Sequence, residues 1–112
     1  TILDNLIDNA IKYTPEGGGI WLRWRADGAD AVLEVQDTGI GIDPSDQARV
    51  FERFYRVDKA RSRDVGGTGL GLSIVKHLAL AFGGQVSLES QPGNGSIFRV
   101  RLPLAAASRA ER

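Results

Sequence analysis

Apolar residues recur at helical spacing in two parts of the chain. Residues 2–13 carry Ile, Leu and Ala three or four positions apart, which predicts an amphipathic helix that ends before Pro15. The same spacing returns after a glycine-rich stretch and predicts a second helix over about residues 70–82. Gly83 and Gly84 end that helix, because glycine readily adopts the left-handed backbone found at helix C-termini.

Between and after the two helices, apolar and polar residues alternate, which is the pattern of strands with one buried face. The alternating segments are residues 20–26, 31–37, 85–91 and 96–102. Turn residues at 27–30 and 92–95 join these strands as two hairpins. In the first strand Ile20, Leu22 and Trp24 share one face, so this strand is predicted to be half-buried.

The order of these elements predicts the fold class. A helix, two strands, a long loop, a second helix and two more strands would place both helices on the apolar face of one sheet. We therefore expect an α/β (α+β) two-layer sandwich with helices packed on one face of a mixed β-sheet. The loop over residues 43–66 is polar, carries a short predicted helix over 44–51, and is long enough to predict a lid.

Length and composition limit the possible functions. We expect one domain over residues 1–104 and a disordered tail over 105–112. A helical pattern is already under way at Thr1, so we expect an N-terminally truncated piece of a longer protein. Its 14 Lys and Arg residues balance 14 Asp and Glu residues, which gives no argument for a nucleic-acid or anionic-membrane partner. The absence of cysteine excludes a disulfide framework and thiolate metal sites.

Residues 66–72 read GGTGLGL, and a glycine-rich loop that runs into a helix is suited to hold phosphate on its backbone amides. A Walker A loop requires a Lys directly after its last glycine, but Leu72 stands there. The dinucleotide-binding fingerprint requires a glycine at the same position. A polyphosphate loop of another kind and a flexible linker before a helix both stay open.

Asp37 extends the apolar face of its strand, because it alternates with Leu33 and Val35. A carboxylate in an apolar place needs hydrogen-bond donors to offset the loss of its hydration. A bound adenine amine would be such a donor, and the amides of Gly39 and Gly41 in a turn would be others. Both interpretations of Asp37 stay open at this point.

The first predicted helix carries a polar stripe opposite its apolar face. Asn5, Asn9 and Lys12 lie on this stripe at helical spacing. Amide oxygens are ligands that Mg²⁺ accepts, and a lysine can neutralise a phosphate. The alternative is a solvated helix face, although two Asn residues inside a helix are mildly unfavourable.

Five segments together resemble the motifs of the catalytic and ATP-binding domain of bacterial sensor histidine kinases. This domain has the Bergerat ATP-binding fold of the wider class that includes gyrase, Hsp90 and MutL. In chain order the segments resemble the N box (5–15), the G1 box (37–41), the F box (51–56), the G2 box (67–72) and the last glycine motif (93–98). Together they cover nearly the whole chain.

The resemblance implies a protein-histidine kinase that binds ATP and Mg²⁺ and transfers the γ-phosphoryl group to a histidine on a separate dimerisation domain. It implies Asn5, Asn9, Lys12 and Arg56 as catalytic residues, with Asn9 as the Mg²⁺ ligand and Asn5 as a second candidate. The residues implied to contact the nucleotide are Asn9, Lys12, Tyr13, Asp37, Gly39, Gly41, Ile42, Phe54, Arg56, Gly67, Thr68, Gly69, Leu70, Gly71, Leu72 and Ser96.

The resemblance also implies partners and a location. The partners are the protein's own dimerisation and histidine-phosphotransfer domain, a cognate response regulator and, for the full-length protein, a second copy in a homodimer. The location is that of a cytoplasmic domain in a protein anchored in the bacterial membrane. The domain itself is expected to contact neither the membrane nor a nucleic acid.

Two other functions stay open. ATPases of the wider class that hydrolyse ATP carry a Glu general base one turn before the magnesium-binding Asn, and Asn5 stands there instead. Because an amide cannot take up a proton, Asn5 favours a kinase over a stand-alone ATPase. A degenerate binding module without nucleotide is the other alternative. Leu78 follows His77, where the family's acceptor histidine usually precedes an acidic residue, so we interpret His77 as a surface residue.

Overall fold

The computed structural model of the protein describes residues 2–53 and 71–104. Its helices are α1 (Ile2–Tyr13), α2 (Pro44–Gln47) and α3 (Gly71–Ala81), and its strands are β1 (Ile20–Asp27), β2 (Asp30–Asp37), β3 (Gln85–Ser90) and β4 (Ser96–Pro103). Both predicted hairpins are confirmed, and so is the long helix at the start of the chain. Within these ranges none of the helices has the length and apolar character needed to cross a membrane.

The short helix predicted over residues 44–51 ends at Gln47 instead. Asp43 begins it by accepting a hydrogen bond from the Ser45 amide at 2.9 Å, which is the usual role of an N-cap aspartate. Beyond Gln47, turns closed by bonds between residues three apart replace the helix. Val50 is buried in this turn segment.

The four strands form one sheet in the order β1-β2-β4-β3. The helices cover one face, so the predicted two-layer arrangement is confirmed. The prediction describes the sheet as mixed, whereas every pairing between the described strands is antiparallel. This follows from its construction, because two hairpins meet through β2 and β4, which run in opposite directions.

The core lies between the two long helices and the centre of the sheet. Leu6 and Ala10 of α1 and Val75 and Ala79 of α3 are fully buried at positions one helical turn apart, as an amphipathic helix requires. The sheet contributes Val35, Phe98 and Val100 to the same cluster. The polar stripe of α1 therefore lies away from the sheet, beside the start of α3.

The prediction of a half-buried first strand is wrong. Trp24 is 71 % exposed and Leu22 is 47 % exposed, although both lie on the face of the sheet that carries the helices. The reason is that β1 is the edge strand, while α1 packs on β2 and α3 packs on β3 and β4. Alternation identified the two faces of β1 correctly but could not tell how far the helix layer extends.

The other face of the sheet is covered by cross-strand ion pairs. Glu34 lies in the middle of this network and is only 6 % exposed. Its carboxylate accepts hydrogen bonds from Arg25 on β1 and from Arg99 on β4, the latter at 2.9 Å. The Arg25 guanidinium is the main cause that holds the pKa of Glu34 below its ordinary value of 4.5, and Arg99 adds to it.

We predict that Glu34→Gln lowers the free energy of unfolding by about 1 kcal/mol at neutral pH, because two arginines lose their anionic partner. The pKa of Glu34 is lowered in the folded state, so its contribution is fully present above about pH 4.5 and is lost as the pH falls further. Denaturant unfolding of both proteins at neutral and acidic pH measures this. Glu89→Gln, at an exposed partner of Arg99, is the control with a much smaller expected effect. An equal difference at both pH values would contradict the assignment.

Candidate functional site

A row of polar side chains closes the apolar face of the sheet at one end. Asp37 at the end of β2 pairs with Ser96 of β4, and Ser96 pairs with Ser90 of β3. Asp37 is 5 % exposed, which confirms the inward orientation predicted from alternation. Its carboxylate accepts the Gly39 amide at 2.8 Å. Burial nevertheless raises the pKa of Asp37 above its ordinary value, and the backbone amides of Gly39 and Ser96 only partly offset that effect.

The turn after Asp37 is tied to the end of α1. The Ile40 amide donates to the Tyr13 carbonyl at 3.3 Å, and the Thr38 amide donates to the Gly19 carbonyl at 3.1 Å. A Cβ atom at residue 39 would fall well inside contact distance of the Tyr13 carbonyl oxygen. Glycine at residue 39 thus allows the end of α1 to approach Asp37, and this brings the predicted residue Tyr13 to the strand-end row.

Gly41 lets the same turn approach the β3–β4 hairpin. Its φ is +74°, in the left-handed region that favours glycine, and a Cβ atom there would clash with the Gln91 carbonyl. The Gly93 amide donates to the Ile40 carbonyl at 2.7 Å and closes this contact. The predicted residues Gly39, Gly41 and Ile42 are therefore held between α1 and the hairpin.

We predict that Gly41→Ala lowers the free energy of unfolding by roughly 2 kcal/mol, because strain at positive φ adds to the clash with the hairpin. Gly28→Ala is the matched control, since Gly28 has a φ of +62° but nothing within 4 Å of its added Cβ. It should cost about 1 kcal/mol from backbone strain alone. Thermal unfolding of both variants measures the difference, and equal losses would show that the contact between residue 41 and the hairpin is unimportant.

The polar stripe of α1 reaches the start of α3. Asn5, Asn9 and Lys12 are all half-buried, so this stripe is only partly exposed to solvent. A Cβ atom added to Gly71 would lie 3.3 Å from the amide oxygen of Asn5. The start of α3, where the predicted glycine loop ends, therefore lies against this stripe. Lys12 is followed directly by Tyr13, whose carbonyl contacts the turn after Asp37.

These contacts fit a magnesium-bearing polyphosphate in their donor chemistry. Mg²⁺ takes hard oxygen ligands and keeps several waters and phosphate oxygens, so one or two amide oxygens suffice on the protein side. Asn5 and Asn9 supply such oxygens on one side of α1. In the described part of the chain, no group of three His, Cys, Asp or Glu side chains is placed to hold a metal ion. A Mg²⁺ ion at α1 would therefore depend on amide, phosphate and water oxygens.

The structure describes only some of the residues that the sequence predicts for the lid and the glycine loop. Phe54, Arg56, Gly67, Thr68, Gly69 and Leu70 lie outside the described residues, as do most of the predicted lid and the tail over 105–112. Of the glycine loop, Gly71 and Leu72 are described: Gly71 begins α3 and Leu72 packs on the core. In the F box, the Phe51 ring meets Phe98 edge to face, with ring centroids 6.0 Å apart. His77 is exposed on α3.

Sequence reasoning missed two residues at this end of the sheet. Its patterns assign Ser90 only to a strand and Gln47 only to the short predicted helix of the polar loop. The hydroxyl of Ser90 accepts the Ile42 amide at 2.7 Å, and the side-chain amide of Gln47 donates to the Ile42 carbonyl at 2.8 Å. The predicted turn over residues 92–95 would place Gln91 opposite Ser96, whereas the structure has a five-residue connection that places Ser90 there.

Comparison with known proteins decides the family. The family model described as "Histidine kinase-, DNA gyrase B-, and HSP90-like ATPase" matches residues 1–106. The chain belongs to this family. Its motifs are those of the sensor histidine kinase branch: the phosphate regulon sensor protein PhoR of Pseudomonas aeruginosa is 51 % identical over 108 residues. That match covers 96 % of this chain but 24 % of PhoR, so the chain spans about a quarter of that relative.

Solved structures agree with the fold. The mycobacterial sensor histidine kinase MprB matches with a TM-score of 0.79 and 38 % identity, covering 91 % of this chain and 69 % of that one. Full-length ShkA, solved in complex with AMPPNP, matches with a TM-score of 0.76 and 41 % identity, covering 91 % of this chain and 20 % of that one. The chain is thus an ATP-binding catalytic domain of the sensor histidine kinase type.

Proposed function

We propose that the chain binds Mg²⁺-ATP between the strand-end row and α1 and passes the γ-phosphoryl group to a histidine of the full-length protein's dimerisation domain. The observation that carries this proposal is the buried carboxylate of Asp37, held by the Gly39 amide at the edge of the helix layer. Burial raises the pKa of Asp37, and no cationic side chain of the described residues offsets that effect. A buried acid whose pKa is raised by burial, with no cation beside it, is typical of a ligand-binding residue.

Asp37 would accept the exocyclic amine of adenine, with Gly39 and Gly41 giving the base access to the backbone. Lys12 would neutralise phosphate charge at the end of α1, and the start of α3 at Gly71 would present the positive end of the helix to the phosphates. Asn9, with Asn5 beside it, would hold Mg²⁺, which neutralises charge that develops during phosphoryl transfer. Arg56, Phe54 and residues 67–70 remain predicted contributors to the same site.

Asn5 supports a transferase over a hydrolase. Its half-buried side chain lies against Gly71, at the point where the glycine loop enters α3. A general base at this position would deprotonate a water beside the phosphates, whereas an amide cannot. The chain would therefore hold ATP for an incoming histidine and hydrolyse it only slowly.

The partners and location follow from the same proposal. The acceptor would be the histidine-phosphotransfer domain of the same full-length protein, which we propose to be a homodimer that relays the phosphoryl group to a cognate response regulator. We also propose that this chain is the cytoplasmic part of a membrane-anchored sensor. Neither a nucleic acid nor the membrane surface is a proposed partner of this domain.

The experiment that tests the proposal supplies the acceptor. The full-length protein, and separately this chain mixed with the dimerisation domain, would be incubated with Mg²⁺ and ATP labelled in the γ-phosphoryl group. The proposal expects label on a histidine of the dimerisation domain and slow release of free phosphate. Rapid release of phosphate without labelled protein would instead establish a stand-alone ATPase. A chain that binds no adenine nucleotide in calorimetry would be a degenerate module.

A further inference from the structure

A polar cluster joins the turn after Asp37 to the β3–β4 hairpin. We call it the Ser90 cluster, and its members are Ile42, Gln47, Ser90, Gly95 and Ser96. The Ser90 hydroxyl lies 2.7 Å from the Ile42 amide, 2.8 Å from the Gly95 carbonyl oxygen and 2.8 Å from the Ser96 hydroxyl. The side-chain amide of Gln47 donates to the carbonyl oxygens of Ile42 at 2.8 Å and Ser90 at 2.9 Å.

Counting protons assigns a direction to each of these bonds. A serine hydroxyl donates one hydrogen bond and accepts two. The Gly95 carbonyl can only accept, so it takes the single proton of Ser90, while the Ile42 amide can only donate to Ser90. The remaining bond must therefore use the proton of Ser96. Ser96 is left with lone pairs alone for any further partner.

The consequence appears beside Asp37. Ser96 is the direct strand partner of Asp37, and its backbone amide faces the β2 backbone in the antiparallel ladder. With its hydroxyl proton given to Ser90, Ser96 offers no donor to a ligand at this end of the sheet. Asp37 and Ser96 thus form an edge of acceptors, which is complementary to a base that presents an amine.

Gln47 fixes the backbone that borders this edge. The Ile42 amide bonds Ser90 of β3 directly, and the Ile42 carbonyl bonds Gln47 of α2, which itself bonds the Ser90 carbonyl. The two protons of the Gln47 amide serve two carbonyl oxygens. A glutamate in its place could donate to neither and would face both with a negative charge.

We propose that Ser90 and Gln47 are positioning residues that make the strand-end row select an amine-bearing purine over a carbonyl-bearing one. The inference rests on the proposed function and concerns only how the base is chosen. Adenine presents an amine to the acceptors Asp37 and Ser96. Guanine presents a carbonyl oxygen there, which would meet acceptors and leave polar groups unpaired. Loss of the Ser90 hydroxyl frees the Ser96 proton to turn toward the base and donate to such an oxygen.

The test measures the Kd of Mg²⁺-ADP and of Mg²⁺-GDP by calorimetry on the 112-residue chain. For Ser90→Ala we expect the ratio of the GDP to the ADP Kd to fall about tenfold, the effect of one misdirected hydrogen bond. Ser90→Thr keeps the hydroxyl and should restore the ratio. Ser87→Ala is the matched control, because Ser87 lies on the same strand but on the opposite face of the sheet. It should leave the ratio unchanged.

Gln47→Glu provides a second variant should Ser90→Ala fail to fold. It should also lower the ratio, whereas Gln85→Glu, on the exposed start of β3, should not. Equal weakening of both nucleotides in Ser90→Ala and Gln47→Glu, with the ratio unchanged, would show a merely structural role and overturn the inference alone. Failure of the wild-type chain to bind either nucleotide would overturn the proposed function and this inference together.

Discussion

Asp37→Asn is expected to weaken binding of Mg²⁺-ADP by about 100-fold, because a hydrogen bond to a charged group contributes about 1.5–3 kcal/mol and each 1.4 kcal/mol is a factor of ten. The carboxylate offers acceptors only, and one of its oxygens accepts the Gly39 amide at 2.8 Å. An asparagine of the same shape presents an NH₂ group to one of its donors, either a backbone amide or the adenine amine. Calorimetric titration of both proteins measures the loss.

The same substitution should leave the chain no less stable. Burial raises the pKa of Asp37 above its ordinary value of 3.8, so the folded state favours the protonated acid. The free energy of unfolding of the wild-type chain therefore falls as the pH rises from 3.8 through the raised pKa, and Asp37→Asn removes that dependence. We expect an unchanged or higher melting temperature at neutral pH. Weaker binding of Mg²⁺-ADP by Asp37→Asn, with an undiminished melting temperature, would show that Asp37 serves ligand binding and not the stability of the fold.

Asp43→Asn is the control for this prediction. Asp43 lies near Asp37 in sequence, but it is exposed and caps α2 through the Ser45 amide, which lowers its pKa. Asparagine caps helices about as well as aspartate, so neither affinity nor stability should change much. Unchanged affinity in Asp37→Asn, or an equal loss in Asp43→Asn, would refute the assignment of the base to Asp37.

Asn9→Ala is expected to lower the rate of phosphoryl transfer to a supplied dimerisation domain by about 1,000-fold, because the charge neutralisation that Mg²⁺ provides is lost at the reacting phosphate. Nucleotide binding should fall far less, since Asp37 and the turn after it stay intact. The half-buried position of Asn9 on α1, between Asn5 and Lys12, supports this expectation. Single-turnover transfer and calorimetry, each over a range of Mg²⁺ concentrations, measure the two effects.

Asn94→Ala is the matched control for Asn9→Ala. Asn94 is an exposed hairpin residue whose side chain bonds Gln91 at 3.4 Å, a weak contact by its length. The variant should keep the wild-type rate of transfer and the wild-type dependence on Mg²⁺. If transfer persists in Asn9→Ala with the same Mg²⁺ dependence, the metal role of this residue is wrong, and Asn5 becomes the candidate to examine.

Local patterns predicted most of the fold because they report which face of an element is apolar. The helical spacing of Leu6 and Ala10, and the alternation that ends in Asp37, both identified residues that are buried in the structure. The same patterns failed at β1, since the exposure of Trp24 depends on how far the helix layer reaches across the sheet. Such a long-range property leaves no trace in the periodicity of the strand itself.

The site was predictable only in part for a similar reason. Asp37 could be found because an acid on an apolar face breaks a local pattern, and the glycines after it because turns need them. Ser90 and Gln47 break no pattern, and their roles arise from contacts between segments more than 40 residues apart, such as the 2.7 Å bond between Ile42 and Ser90. The interpretation of the α1 stripe needed the position of α3, which only the three-dimensional structure provides.

The most direct test of the account is a crystal structure of the chain with Mg²⁺ and AMPPNP. We expect the exocyclic amine of the base within hydrogen-bond distance of the Asp37 carboxylate. The phosphates should lie beside Asn9 and Lys12 at the start of α3, with the metal on the Asn9 side-chain oxygen. A base bound elsewhere, with the Asp37 carboxylate still engaged only by the Gly39 amide, would contradict the central claim.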